Sequence, residues 1–108
     1  MPKYLIQARY TPEGLRGLAK DKASGRRAAV QTALKAVKGK LECIYYAFGE
    51  DDVVAIFDAP DNVAATALSL SVGSSGLVSI RTTALLTVDE VDQALGMPSR
   101  YRGPGQES

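Results

Sequence analysis

A chain of 108 residues, 45% hydrophobic and 23% charged, has room for one core and one domain. Thirteen bases balance twelve acids to a net charge of +1, which excludes the basic footprint of a nucleic-acid or anionic-membrane binder. With no histidine and the single Cys43, the composition excludes a zinc site of the usual ligands, a histidine-held haem and an internal disulfide, and no cofactor is expected.

Met1-Pro2-Lys3-Tyr4 opens straight into a strand pattern without a signal-peptide core, and no apolar run approaches the roughly 20 residues of a membrane span, so a cytoplasmic protein is expected. From Lys3 to Tyr10 the residues alternate, with Tyr4, Ile6, Ala8 and Tyr10 on one face and Leu5, Gln7 and Arg9 on the other. Thr11-Pro12-Glu13 reads as a helix start: Thr11 caps free amides, Pro12 suits the first helical position, and Glu13 complements the dipole. Ser24-Gly25 interrupts this helix, with Ser24 as a second N-cap. Val30, Ala33, Leu34 and Val37 then form a stripe at helical spacing, opposite Arg27, Gln31, Lys35 and Lys38, and Gly39 ends the run.

Leu41–Phe48 is rich in strand formers and runs into the acidic turn Gly49-Glu50-Asp51-Asp52, read as the hairpin that sets the register of the two central strands. The next strand, Val53–Phe57, is apolar on both faces, which predicts a cover on the side away from the chain's own helices. Asp61 caps a small-residue helix over Asn62–Val72, and Gly73-Ser74-Ser75-Gly76 is a loop lacking the features of a phosphate-binding loop. Alternation continues from Val78 to Val88 as a fourth strand, and Asp89–Leu95 is a short last helix stopped by Gly96. The order predicts an α+β fold: a ferredoxin-like βαββαβ unit, its antiparallel four-stranded sheet carrying helices on one face, plus a short C-terminal helix. Residues 1–96 form the one domain, and 97–108 a polar tail that orders only on docking.

Tyr10-Thr11-Pro12-Glu13-Gly14, Gly49-Glu50-Asp51-Asp52-Val53-Val54-Ala55-Ile56 and Ala59-Pro60-Asp61 together make the chain, over about Lys3 to Thr87, resemble the GYD domain family of the dimeric α/β barrel superfamily. Gly49 and Asp52 match the family's glycine and aspartate, whereas Asp51 stands where the pattern has tyrosine. The resemblance implies the fold and a homodimer joined through the open sheet face, and carries no settled activity.

On that open face Gln7 and Arg9 of the first strand and Arg81 and Thr83 of the fourth converge in ferredoxin-like order, a set suited to a carboxylate or another small anion. The same arginines also suit the rim of a dimer interface, paired with acids across it. Tyr4, Tyr10, Tyr45 and Tyr46 offer an aromatic cavity lining or ordinary core and interface contacts, and Tyr46 joins Gln7, Arg9, Arg81 and Thr83 as a candidate ligand contact. Glu50, Asp51 and Asp52 are consecutive, a spacing wrong for a metal loop, and a solvated turn with Asp52 bonding local backbone is the expected role. Cys43, with no histidine to activate it, is a small hydrophobe. These readings favour a dimer that encloses a pocket between its sheets for a small anionic or aromatic molecule, with Arg9 and Arg81 as the polar anchors, and that acts as a ligand-binding or accessory module. The alternative is a cofactor-independent oxygenase or isomerase acting on a small aromatic substrate, an activity the wider superfamily includes; a purely structural dimer is the third reading.

Overall fold

The computed structural model describes residues 1–107. Alternation along strand β1 (Lys3–Tyr10) divides the sheet into two faces: Tyr4, Ile6 and Ala8 are buried, while Leu5 and Gln7 are half-buried and Arg9 is exposed. Thr11 caps helix α1 (Pro12–Ala36), its hydroxyl accepting from the Gly14 amide at 3.1 Å. The interruption falls at Lys22, with φ 63° and ψ 166°, two residues before the expected Ser24-Gly25. A left-handed φ at a lysine is strained backbone. Beyond the break Leu34 is fully buried, and Val30 and Ala33 pack against the core.

The helix ends differently from expectation, because Lys38 and not Gly39 takes the left-handed conformation, at φ 61°. Gly39 is required for space instead: a Cβ there would lie 2.6 Å from the Asp58 carbonyl oxygen and 3.1 Å from Leu34 Cδ2. Strand β2 (Lys40–Tyr46) follows and stops short of Phe48. The Ala47 amide, donating to the Asp52 carbonyl at 2.9 Å, closes the turn into strand β3 (Val53–Asp58). Asp61 caps helix α2 (Asn62–Gly73) by accepting from the Ala64 amide at 2.9 Å, and Ala65 and Leu68 face the core.

Strand β4 (Val78–Leu85) is three residues shorter than its alternation suggests. Thr87 leaves the strand to cap helix α3 (Val88–Leu95): its hydroxyl accepts from the Glu90 amide at 3.0 Å, while the Glu90 carboxylate accepts from the Thr87 amide at 2.9 Å. This reciprocal capping box outcompetes one more rung of strand pairing at a sheet edge. No residue of α3 is buried, and the molecule is drawn out to 59 × 31 × 23 Å.

The strands pair antiparallel in the order β2-β3-β1-β4, the ferredoxin-like arrangement. This order corrects one expectation. The acidic turn joins edge strand β2 to inner strand β3, so it does not link the two central strands, which are β1 and β3. Between the sheet and α1 and α2 lies the core of Tyr4, Ile6, Leu34, Val53, Phe57 and Leu68 with the alanines 8, 55, 59 and 65. Tyr4 stacks on Phe57 at a ring separation of 5.3 Å and donates its hydroxyl to Asn62 Oδ1 at 2.6 Å.

Candidate functional site

On the open face, strand register places Gln7 opposite Arg81, Leu5 opposite Thr83 and Arg9 opposite Ser79. Gln7, Arg9, Arg81 and Thr83 therefore share one surface, as alternation predicts. Arg81, however, is already engaged: its Nη2 donates to Asp51 Oδ2 at 2.9 Å and Oδ1 at 3.2 Å, with Gln7 Nε2 at 3.5 Å from Oδ2. Asp51 is the residue that replaces the pattern's tyrosine, and its carboxylate is only 15% exposed against 64% for the Arg81 side chain. Arg9 makes no ion pair among the described residues.

Asp52 turns the other way. Its carboxylate accepts from the Tyr10 amide at 2.9 Å while its own amide donates to the Ala8 carbonyl at 2.8 Å. The bonds are long-range and tie the turn to β1, a correction to the expected local turn chemistry. The two neighbouring acids diverge, as side chains on successive extended residues must. Around them the open face is apolar, with Leu5, Cys43, Val54 and Ile56 half-buried and Tyr45 exposed. At its far end Lys3 Nζ bridges Glu42 Oε1 at 2.5 Å and Asp58 Oδ1 at 2.9 Å. The bond to Glu42, then that to Asp58, holds the Lys3 pKa above its ordinary value.

Tyr46 does not belong to this face. It pairs with Val53, whose side chain points into the core, and so lies across the sheet from Arg9 and Arg81. There it lines a cavity of about 110 Å³ between α1, α2 and the sheet. The walls are Ile6, Ala8, Val53, Ala55, Leu68 and other aliphatic side chains; the polar lining residues are Tyr10, Tyr46 and Arg26. These three are partly exposed whereas the walls just named are buried, so they mark the mouth. Burial, then the adjacent Tyr10 hydroxyl, pushes the Tyr46 pKa up to about 12 against the opposing pull of the Arg26 charge. Tyr46 is therefore a protonated hydroxyl at neutral pH, able to donate a hydrogen bond and poorly suited to act as a base.

The five candidate ligand contacts thus divide between two faces, four on one and Tyr46 on the other. Sequence reasoning missed Arg26. The signal was present, since Arg26 stands four and seven residues before Val30 and Ala33 on the apolar stripe of α1, where a charge is out of place.

The profile of the GYD domain matches residues 4–95. The chain belongs to the GYD domain family. Among solved structures, a crystal structure of the NE2512 protein of unknown function from Nitrosomonas europaea is similar at 18% identity, covering 81% of this chain and 91% of that one with a TM-score of 0.41. No curated protein matches this GYD chain. Among its described residues no helix is long and apolar enough to cross a membrane.

Proposed function

We propose that this GYD protein is a homodimeric small-molecule-binding or accessory module whose ligand occupies the helix-side cavity. The observation that carries the reading is the cavity itself: an apolar space opening past two tyrosine hydroxyls and one guanidinium. Ligand sites commonly combine apolar walls with a few convergent polar groups. Because the space opens at its polar rim, a ligand that enters gains by covering apolar wall, about 25 cal/mol per Å² of apolar surface removed from water. The size fits one small ring or a short aliphatic chain.

The oxygenase or isomerase alternative needs a base, whereas the polar groups lining the cavity are two tyrosine hydroxyls and a guanidinium, which supports binding. The test is titration with benzyl alcohol followed by methyl shifts of Ala29, Ala33 and Val72 in NMR spectra. Ala33→Phe, which fills the space, is expected to abolish those shifts; shifts that persist in that variant place the ligand elsewhere.

The open face is assigned to the partner copy. Leu5, Val54, Ile56 and Tyr45 leave apolar surface there, and Val88, Val91 and Leu95 leave more on α3. Each large apolar side chain left in water forgoes about 1.5 to 3 kcal/mol, and a two-fold sheet-to-sheet contact recovers it. In that arrangement Arg9, Gln7, Arg81 and Thr83 form the polar part of the interface. Sedimentation equilibrium at micromolar concentration is expected to report a dimer and, for Ile56→Asp, a monomer; a monomeric parent chain refutes the assignment.

A further inference from the structure

We infer that the ligand of the helix-side cavity carries a carboxylate, as an arene or small cyclic carboxylic acid does, and that Arg26 receives it. The inference rests on that cavity being the binding site. Arg26 is the one charged side chain in the lining, facing a space otherwise walled by aliphatic groups and two tyrosines. At the mouth the guanidinium keeps part of its surface in water, with its apolar stem against the cavity wall. Its only ion pair among the described residues is weak: Nη1 lies 3.5 Å from Asp21 Oδ2, beyond a strong charge-assisted bond, and the Asp21 side chain is half in water. A guanidinium has five donors in a planar fork, and the long Asp21 contact engages one end of it.

The backbone places it there. Lys22 breaks α1 between Asp21 and Arg26, in a conformation lysine rarely adopts. The segment that restarts brings Arg26, Ala29, Val30 and Ala33 onto the cavity at helical spacing, with the two alanines leaving room under the arginine. Tyr10 and Tyr46, which line the same cavity as Arg26, add two hydroxyls to its rim. The surroundings suit a negative ligand. Along α1, Arg16, Lys20, Lys22, Arg26, Arg27 and Lys35 face only Glu13 and Asp21 as acids, which biases the field at this side of the molecule. A ring then fills the apolar space while its carboxylate replaces Asp21 at the guanidinium.

The experiment compares benzoate with benzyl alcohol, two probes of like shape and different charge, by titration against the parent chain, Arg26→Met and Arg26→Lys, with Ala29 and Ala33 methyl shifts as the readout. Benzoate is expected to bind the parent chain more tightly than benzyl alcohol. Arg26→Met is expected to weaken benzoate by about tenfold or more and to leave benzyl alcohol within about twofold, as for a merely apolar contact. Arg26→Lys, which keeps the charge without the fork, falls between, and decides the matter if Arg26→Met does not fold. Benzyl alcohol binding as tightly as benzoate, or an equal loss of both in the variants, overturns the carboxylate assignment alone. Failure of both probes to shift the cavity methyls overturns it together with the cavity reading.

Discussion

Replacing Asp51 by asparagine isolates the bond that this chain has where its family pattern has tyrosine. The carboxylate is 15% exposed but its partner Arg81 is 64% exposed, so the pair lies half in water. The energy scale is therefore that of a surface pair, about 0.2 to 1 kcal/mol, and not the 3 to 5 kcal/mol or so of breaking a buried one. Asparagine keeps the shape and one acceptor, and Arg81 remains solvated, so no stranded charge adds to the loss. A decrease of about 1 kcal/mol in unfolding free energy corresponds to about 4 to 8 °C in Tm for a domain of this size. Urea unfolding of the parent, Asp51→Asn, Arg81→Met and the double variant gives the coupling directly, expected at about 0.5 to 1 kcal/mol in low salt. In 1 M salt, where screening acts over about 3 Å, it is expected to shrink. A coupling of zero in low salt refutes the role given to Asp51. If a second copy covers this face, the pair is desolvated and the coupling rises with protein concentration.

Two further outcomes test the helix side. Tyr46 holds its proton more tightly folded than unfolded, with its pKa up to about 12 against 10.0 in the free side chain, so the effect is absent below pH 10 and stability falls as pH rises toward 12. Absorbance titration should show one tyrosine ionising late, and Tyr46→Phe should remove that step and flatten the alkaline loss of stability; an unchanged titration in Tyr46→Phe excludes the assignment. Gly39→Ala removes unfolded-state freedom worth about 0.4 to 1 kcal/mol. It also drives a Cβ against the Asp58 carbonyl, a backbone group that cannot swing aside, at a cost of about 1 to 3 kcal/mol. Net destabilisation in urea is expected, and a gain in stability shows that the β3 end yields.

The sheet was legible because its signals are local and agree: alternation in β1, caps at Thr11 and Asp61, and strand formers flanking the acidic turn. The errors arose where a local rule met a competing one. At the β4 end, alternation continued through Val88, but the Thr87–Glu90 box captured those residues for α3. At Gly39, the residue usual for a helix end was present for space, and Lys38 took the strained conformation. Arg9, Arg81, Gln7 and Thr83 share a face because period two fixes it, whereas Tyr46 follows Tyr45 and so must lie on the other. Asp51 was invisible as a partner for Arg81 because 30 residues separate them and only strand order joins them.

The two faces of the sheet divide the work in a way that follows from composition. Two helices cannot cover four strands on both sides, so the open face, with its half-buried aliphatics and the ion pairs of Arg81 with Asp51 and of Lys3 with Glu42 and Asp58, has the makings of a surface that meets another like itself. Of its two arginines Arg81 is held by Asp51, while Arg9 makes no ion pair among the described residues and is left to the partner or to solvent. The covered face has the opposite character. It is almost wholly apolar, yet it contains unfilled space and a guanidinium held by one long contact. A core built for stability alone would place an aliphatic side chain at position 26, since that site borders the apolar cavity and apolar surface covered there is worth more than a weak pair with Asp21. Keeping both the space and the charge makes sense when something that fits both arrives from outside.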